Sequence, residues 1–265
     1  MQSISIWFKS FATVGKVTTH MKAVGFDLVG TLCKAGTQEE ECIRALWLEL
    51  GHHGVRVPYL EFAEAHNRAA LKYLEIRKFT HREVNNRVWI AEALNTLGFS
   101  LEEDNEITCR AADAYFRPYV EKIWVPSYVP SILSRIKSRF KLGLITNFTY
   151  AAAARSILQT NNLEDFFDSI VVSDEVGWRK PHPNIFRKFL NDVSANPAES
   201  FFVGDDVRYD VIGSKRVGMK AILLQSEDTK FSESYYATEE EQDSKPDAVL
   251  KSLYDVRDHL LSTAT

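Results

Sequence analysis

Cysteine is scarce in this chain, with three residues among 265. Cys33, Cys42 and Cys109 are odd in number and show neither a C-x-x-C pair nor the Cys/His spacing of a zinc site. Neither a disulfide framework nor a structural zinc site is therefore indicated. A reducing compartment is the expected environment, and the cytoplasm is the expected location.

Long apolar runs and an excess of positive charge are also missing. No stretch approaches the roughly 18 consecutive apolar residues that span a membrane, so we expect a soluble protein without a membrane partner. The net charge is −4 and the isoelectric point is near 6.0, which argues against a broad basic face for nucleic acid. A local positive site for a small anion needs no such excess. The sequence carries no signal of oligomeric state.

Residues 1–20 contain no acid and no arginine, and their charged side chains are Lys9 and Lys16. They precede Met21, where a chain could begin directly with a strand. We expect a flexible N-terminal extension or a start assigned too early. Organelle targeting is the alternative, weakened by the missing arginine and a poorly defined apolar stretch.

The segment 37–120 has the periodicity of helices. Its apolar residues recur at the i, i+3, i+4, i+7 spacing of one buried face, as at Ile43, Leu46, Trp47 and Leu50. Capping boxes, in which Ser or Thr is followed three residues later by Glu, begin at Thr37, Thr80 and Ser100, and they predict three helix starts. Pro58 suits the first turn of one more helix. Four antiparallel helices are predicted.

Short apolar runs separated by helical segments follow Pro126. The runs cover residues 142–145, 169–173, 201–203 and 221–224. Strands that alternate with helices predict a parallel sheet with crossover connections. Because an apolar run at 22–25 precedes the helical block, that block is predicted to be an insertion.

The predicted fold is therefore α/β: a doubly wound, parallel-sheet, Rossmann-like core with an inserted four-helix domain. The core is assigned to residues 21–34 and 125–265, and the helical domain to residues 35–124. Residues 226–245 hold seven acids against two lysines without an apolar period, which predicts a solvated loop.

Polar residues follow four of the predicted strands or precede a helix. Because ligands gather beyond the carboxyl ends of parallel strands, residues from separate segments can converge there. Each segment alone is a weak signal, since each also occurs as a cap, a turn or a solvated acidic pair. In this order they form a specific set. The segments are Asp27-Leu-Val-Gly30-Thr31, Thr146-Asn147, Lys180-Pro-His-Pro183, and Gly204-Asp205 with Asp210.

Together the four segments resemble the four signatures of the haloacid dehalogenase-like superfamily. The resemblance runs from Val24 to Leu224, and the inserted helices resemble the helical cap that this family carries between its first and second signatures. It implies a hydrolase of small phosphorylated metabolites that forms an aspartyl-phosphate on Asp27. A carboxylate suits this chemistry because it stays ionised and nucleophilic beside a bound cation.

The resemblance also implies a role for each matched residue. Asp27 would be the nucleophile, Thr146 would hydrogen-bond the phosphoryl oxygens, and Lys180 would offset the charge shared by carboxylates and phosphate. The loops that bind the substrate would be shaped by Gly30, Thr31 and Asn147.

A Mg²⁺ cofactor is implied in the same way. Asp27, Asp205 and Asp210 would hold the ion or its waters, and Val29 would contribute its main-chain carbonyl, which every residue possesses.

Val29 departs from the family pattern, in which an aspartate at this position transfers protons to the leaving alcohol and from the attacking water. General acid–base help is typically worth ~10² to 10⁴ in rate, so alkyl phosphates should react slowly unless another residue substitutes. Candidate bases in the predicted cap are its histidines, His52, His53, His66 and His81.

Three alternatives to a phosphatase follow from Val29. The 2-haloacid dehalogenases of the superfamily also lack this aspartate, but they lack the metal-binding acid that Asp205 supplies here. Phosphonate hydrolases replace it with a small residue and use a cap lysine, for which Lys72 and Lys78 are candidates. The third alternative is a metal- and phosphate-binding module without turnover.

Overall fold

A computed structural model describes residues 21–225 and 245–263. The predicted N-terminal extension 1–20 lies outside the described residues, as does nearly all of the predicted acidic loop 226–245. The described chain forms one sheet of six parallel strands in the order β3-β2-β1-β4-β5-β6. The strands are β1 (Ala23–Phe26), β2 (Lys141–Thr146), β3 (Ser169–Val172), β4 (Ser200–Gly204), β5 (Lys220–Leu224) and β6 (Ala248–Leu250).

The first strand occupies the centre of the sheet. Phe26 pairs with Leu144 of β2 on one side and with Val203 of β4 on the other. The chain winds outward from β1 in both directions, and the strand order reverses beside it. Crevices at such reversal points are where open parallel sheets bind ligands. The residue after Phe26 is therefore placed at the mouth of this crevice.

Four helices are inserted between β1 and β2, as predicted. They are α1 (Glu39–His52), α2 (Tyr59–Thr80), α3 (Asn86–Thr96) and α4 (Glu106–Glu121). Within this insertion α1 packs along α4 and α2 packs along α3, around buried residues that include Leu46, Phe62 and Leu94. The segments that enter and leave the insertion pair with each other, because Lys34 and Trp124 exchange two backbone hydrogen bonds of 2.9 Å.

Within the described ranges, six further helices flank the sheet. They are α5 (Val129–Lys137), α6 (Ala151–Thr160), α7 (Ser173–Val176), α8 (Pro183–Asp192), α9 (Gly213–Arg216) and α10 (Leu253–Ser262). Side chains of α5, α6 and α10 pack on one face and those of α8 on the other. The strands are buried on both sides, which explains why they read as continuous apolar runs. The predicted doubly wound α/β core is confirmed.

A helix begins near the capping box at Thr37, since α1 starts at Glu39, whereas α3 and α4 start at Asn86 and Glu106, well after the boxes at Thr80 and Ser100. None of the three boxes provides the capping side chain. The Thr37 hydroxyl donates to the Pro118 carbonyl oxygen at 3.0 Å, and Thr80 is the last residue of α2. Asparagines cap α3 and α4 instead. The side-chain oxygens of Asn85 and Asn105 each accept a hydrogen bond of 2.9 Å from the backbone N–H two residues later, as a capping side chain does.

Throughout residues 21–225 and 245–263, each helix is either too short or too polar to cross a lipid bilayer.

Candidate active site

A buried lysine bridges two carboxylates beyond the carboxyl ends of β1 and β4. Lys180 Nζ lies 2.6 Å from Asp27 Oδ1 and 2.7 Å from Asp210 Oδ1. Lys180 is 1 % exposed, Asp27 7 % and Asp210 2 %. Buried charges are tolerated when they are paired in this way. The residues come from three distant segments, as the sequence pattern predicted.

Asp205 completes the group of carboxylates. One carboxylate oxygen from each of Asp27, Asp205 and Asp210 lies within 4.8 Å of those from the other two. The Thr31 hydroxyl donates to Asp205 Oδ1 at 3.2 Å. When all three carboxylates are ionised, they and the ammonium group of Lys180 leave two negative charges uncompensated. An all-oxygen donor set with this deficit suits a hard divalent cation such as Mg²⁺.

Two glycines make room for these carboxylates. Gly30 has φ of +103°, a conformation that glycine adopts readily, and a Cβ there would overlap the Asp205 carboxylate. A Cβ on Gly204 would overlap the Asp210 carboxylate. The π-helical turn Val207–Ile212 returns Asp210 to the end of β4, where its Oδ2 accepts from the Asp206 N–H at 3.1 Å. Sequence reasoning overlooked Gly204 as a packing site, although its position directly before Asp205 was the signal.

Burial dominates the electrostatics of the site. Loss of hydration raises the pKa of Asp27, against the opposing charge of Lys180. Burial, and then the charge of Asp210, raises the pKa of Asp205 to about 6. Burial raises the pKa of Asp210 to about 7, although Lys180 lowers it. Burial alone would lower the pKa of Lys180, but Asp210 and Asp27 outweigh it and raise that pKa. The carboxylates are therefore poorly hydrated, and a bound cation would favour their ionised forms.

The residues that end β2 lie beside Lys180. Thr146 is buried at the last position of the strand. The Asn147 side chain accepts from the Lys180 N–H at 2.7 Å and donates to the Lys180 carbonyl oxygen at 3.1 Å. From the sequence, Asn147 is expected to shape a substrate-binding loop. Its side-chain amide instead hydrogen-bonds the backbone of Lys180. The geometry gives it a positioning role.

Neighbours of Asp27 offer little to replace the proton donor that Val29 lacks. Val29 is half-buried and packs against the main core. Burial, followed by the charges of Asp27 and Asp205, raises the pKa of Cys33 to about 12, so its thiol stays protonated. Tyr119 of α4 is also influenced by the charge of Asp27. Burial and the charges of Cys33 and Asp27 raise its pKa to about 12. Tyr119 could not be identified from the sequence, because its proximity to Asp27 arises from the packing of α4.

The histidines proposed as substitute bases lie elsewhere. His66 is fully buried between Phe62 and Tyr115 in the insertion, and burial lowers its pKa to about 4. His53 contacts Glu49 at 3.2 Å on the exposed surface of α1. Within the described residues, none of these four histidines, His52, His53, His66 and His81, forms a hydrogen bond or ion pair with Asp27, Asp205 or Asp210.

A buried ionic cluster joins the insertion to the core next to the site. The Glu83 carboxylate, 1 % exposed, lies 3.4 Å from Arg77 and 3.0 Å from Arg179. It also accepts a hydrogen bond of 2.6 Å from the Ser173 hydroxyl. We call Arg77, Glu83, Ser173 and Arg179 the Glu83 cluster. Periodicity could not reveal it, because Glu83 and Arg179 are 96 positions apart.

Backbone pairing reinforces this junction. The Arg179 N–H donates to the His81 carbonyl at 3.0 Å, and the Glu83 N–H donates to the Gly177 carbonyl at 3.1 Å. The Arg82 guanidinium lies 4.0 Å from the centre of the Trp178 ring, a favourable cation–π distance. The connection between α2 and α3 is thus attached to the segment that carries Lys180.

Comparison with known proteins identifies sequence relatives over part of the chain. A family model described as haloacid dehalogenase-like hydrolase matches residues 21–218. The chain is 37 % identical over 98 residues to a glyceraldehyde 3-phosphate phosphatase of Pyrococcus furiosus, covering 37 % of this chain and 40 % of that protein. It is 30 % identical over 122 residues to the pyrophosphatase PpaX of Bacillus cereus, covering 45 % and 51 %. The chain therefore spans about half the length, or less, of these curated relatives.

Solved structures share the fold over nearly the whole chain. A 2-haloacid dehalogenase from Pseudomonas syringae pv. Tomato DC3000 superimposes with a TM-score of 0.67 at 22 % identity, covering 92 % of this chain and 100 % of that one. A phosphatase from Thermococcus onnurineus superimposes with a TM-score of 0.60 at 23 % identity, covering 91 % and 98 %. At such identities the similarity is one of fold, and it does not distinguish the two reactions.

Proposed function

Since the chain belongs to the haloacid dehalogenase-like hydrolase family, we propose that it is a Mg²⁺-dependent hydrolase of small phosphorylated metabolites that works through an aspartyl-phosphate on Asp27. The observation that carries this proposal is the meeting of Asp27, Asp205 and Asp210 around Lys180. Phosphatase activity among the partial relatives supports the substrate class. The cytoplasm remains our proposed location.

Mg²⁺ fits the donor set and the charge deficit of the site. Asp27, Asp205 and Asp210 would hold it, with the main-chain carbonyl of Val29 as a further oxygen ligand. When bound, the ion supplies positive charge that neutralises phosphoryl oxygens and favours attack by an anionic nucleophile.

The chain's own residues perform the transfer. Asp27 attacks phosphorus, a new oxygen–phosphorus bond forms on its carboxylate, and the bond to the leaving alcohol breaks with both electrons staying on that oxygen. Lys180 stays charged because two carboxylates hold its proton, so it offsets negative charge throughout. The Thr146 hydroxyl donates to a phosphoryl oxygen. Water then attacks the phosphorus of the aspartyl-phosphate, releases inorganic phosphate and restores Asp27.

Proton transfer is the weak step of this scheme. Val29 has no titratable group, so the departing alkoxide must take its proton from water or from another residue. Aryl and acyl phosphates, whose leaving groups need little protonation, should therefore react faster than alkyl phosphates. We also propose that residues 35–124 act as the cap of this site, because lids exclude water and select substrates.

The test uses p-nitrophenyl phosphate and acetyl phosphate. We expect both to be hydrolysed with Mg²⁺, and we expect EDTA and Asp27→Asn each to abolish hydrolysis. Asn147→Ala serves as a comparison, because it should lower turnover through Lys180 without removing the nucleophile. Hydrolysis that persists in Asp27→Asn would rule out the aspartyl-phosphate.

One alternative has a specific observation in its favour. A halide needs no proton to leave, so Val29 would not hinder a 2-haloacid dehalogenase. Asp205 and the charge deficit favour the phosphatase. Metal-independent halide release from L-2-chloropropionate would decide for the dehalogenase, and intact Mg²⁺ binding without turnover of either substrate class would decide for a binding module.

A further inference from the structure

A second, positively charged cleft lies next to the candidate active site, where the insertion meets the core. Its volume is about 270 Å³, close to the lower limit of small-molecule sites, and its lining includes Arg77, Lys78, His81, Arg179, Arg208 and Tyr209. The first three belong to α2 and the residue after it. The last three belong to loops of the core.

The cleft carries more positive charge than its acids compensate. Four cations line it, and Glu75 is the acid among its lining residues. Glu83 does not line the cleft, but it is paired with Arg77 and Arg179 and neutralises one further positive charge. Two positive charges remain. Burial lowers the pKa of His81, and the charges of Arg208, Arg216 and Arg179 lower it further, as expected where the local potential is positive.

The cationic side chains that line the cleft have N–H donors available for an anion. Arg77 and Arg179 each contact Glu83 through the Nη1 atom, whereas a guanidinium carries five N–H donors. In residues 21–225 and 245–263, neither Lys78 nor Arg208 forms an ion pair with an acid. Arginine forks match the geometry of phosphate and carboxylate groups.

The segment 177–180 contributes residues both to the cleft and to the candidate active site. Lys180 extends to Asp27 on one side, and Arg179 extends to Glu83 and the cleft on the other. Tyr209 and Arg208 come directly before Asp210 in the π-helical turn. Contacts to the phosphoryl centre and to the cleft are therefore carried by neighbouring residues of the same two loops.

We propose that this cleft binds a second anionic group, a phosphate or a carboxylate, across the insertion and the core. The group is either the far end of a substrate with two anionic groups, which rests on the proposed function, or a free anion. In both cases its partners lie on both bodies, so its binding stabilises their contact.

The first experiment measures binding without turnover. Inorganic phosphate is titrated calorimetrically into the protein in the presence of EDTA, which removes divalent cations. Without a cation, Asp27, Asp205 and Asp210 repel anions, so the cleft is the expected binding site. We expect one phosphate per chain, with affinity that falls as salt rises. The double variant Lys78→Gln/Arg208→Gln should bind at least tenfold more weakly, since it removes two charge-assisted hydrogen bonds to the anion.

Arg68→Gln is the matched control, because Arg68 is an exposed cation of α2 paired with Glu64 outside the cleft. It should leave phosphate affinity unchanged. Absence of phosphate binding in EDTA, or equal binding by the double variant, would overturn the proposal. Because this measurement needs no catalysis, loss of phosphate binding to the cleft can be distinguished from loss of phosphatase activity.

A second experiment identifies the source of the anion. With Mg²⁺, kcat/KM is compared for fructose 1,6-bisphosphate and fructose 6-phosphate. A fall of about tenfold in the bisphosphate-to-monophosphate ratio in the double variant assigns the cleft to the substrate. An unchanged ratio, together with weakened phosphate binding in EDTA, assigns it to a free anion.

Discussion

At the scale of single residues, the chemistry depends on charges that compensate one another only in part. Lys180 is held by Asp27 and Asp210, while Thr31 supports Asp205. The sequence could predict this meeting because each residue either follows a recognisable strand or precedes a helix. It could not predict that Asn147 binds the backbone of Lys180, since that contact joins residues 33 positions apart through side-chain geometry alone.

Val29 is the residue at which activity should be easiest to raise. We expect Val29→Asp to increase turnover of alkyl phosphates by ~10² or more, and that of aryl phosphates by less, because only alkoxide leaving groups need strong protonation. Steady-state assays of glycerol phosphate and p-nitrophenyl phosphate measure the difference. Val29→Asn, of the same size but without a titratable proton, is the control. An equal gain in both variants would mean that proton transfer was not the missing contribution.

At the scale of elements, the strands were predictable and the helix ends were not. Strands buried on both faces need apolar residues at nearly every position, and this pattern is local. The motifs at Thr37 and Thr80 do not act as capping boxes because their side chains serve other contacts. Thr80 donates to the Ile76 carbonyl in the last turn of α2, and Glu83 binds two arginines. Competition between local capping and tertiary pairing cannot be settled from spacing.

The Glu83 cluster should contribute strongly to stability. Glu83→Gln leaves Arg77 and Arg179 close together without their buried counter-charge, so we expect a loss on the order of 3 kcal/mol in the free energy of unfolding. Urea denaturation gives this value, and hydrogen exchange should show faster opening of the α2–α3 connection. Glu106→Gln is the control, because Glu106 forms an exposed pair with Arg110 and should change stability by less than about 1 kcal/mol. Similar losses in both variants would contradict a structural role for the cluster.

At the scale of the whole molecule, the sheet and the helical insertion each have a core, and the two cores meet at Phe116 of α4, which packs into the core of the sheet. The cluster around Phe26 and Leu144 fills one side of the sheet, while Leu46, Phe62 and Leu94 fill the insertion. The order of elements predicted this arrangement, since the first strand precedes the helices and the remaining strands follow them. The contacts at residues 81–86 were not predicted, because they depend on how two folded bodies meet.

Overall stability should fall in acid because of His66. Its folded pKa of about 4 lies below the ordinary 6.5, so the unfolded chain binds a proton more readily between those values. The contribution of His66 is complete above about pH 6.5 and is lost as the pH falls towards 4, by on the order of 3 kcal/mol. Urea unfolding from pH 8 to pH 4 should show a shallower decline for His66→Phe than for the parent protein. His52→Gln, an exposed site, should keep the parent's slope, and a parallel decline in His66→Phe would exclude this origin.

The insertion is held to the sheet body at its two linkers, whose backbones pair by hydrogen bonds at Lys34 and Trp124, and also at the α2–α3 connection, where Glu83 engages Arg179. If the insertion acts as the lid that we propose, its far edge can open only after this buried ion pair has separated. Because salt screens buried ion pairs much less than exposed ones, the rate of such an opening would depend only weakly on ionic strength.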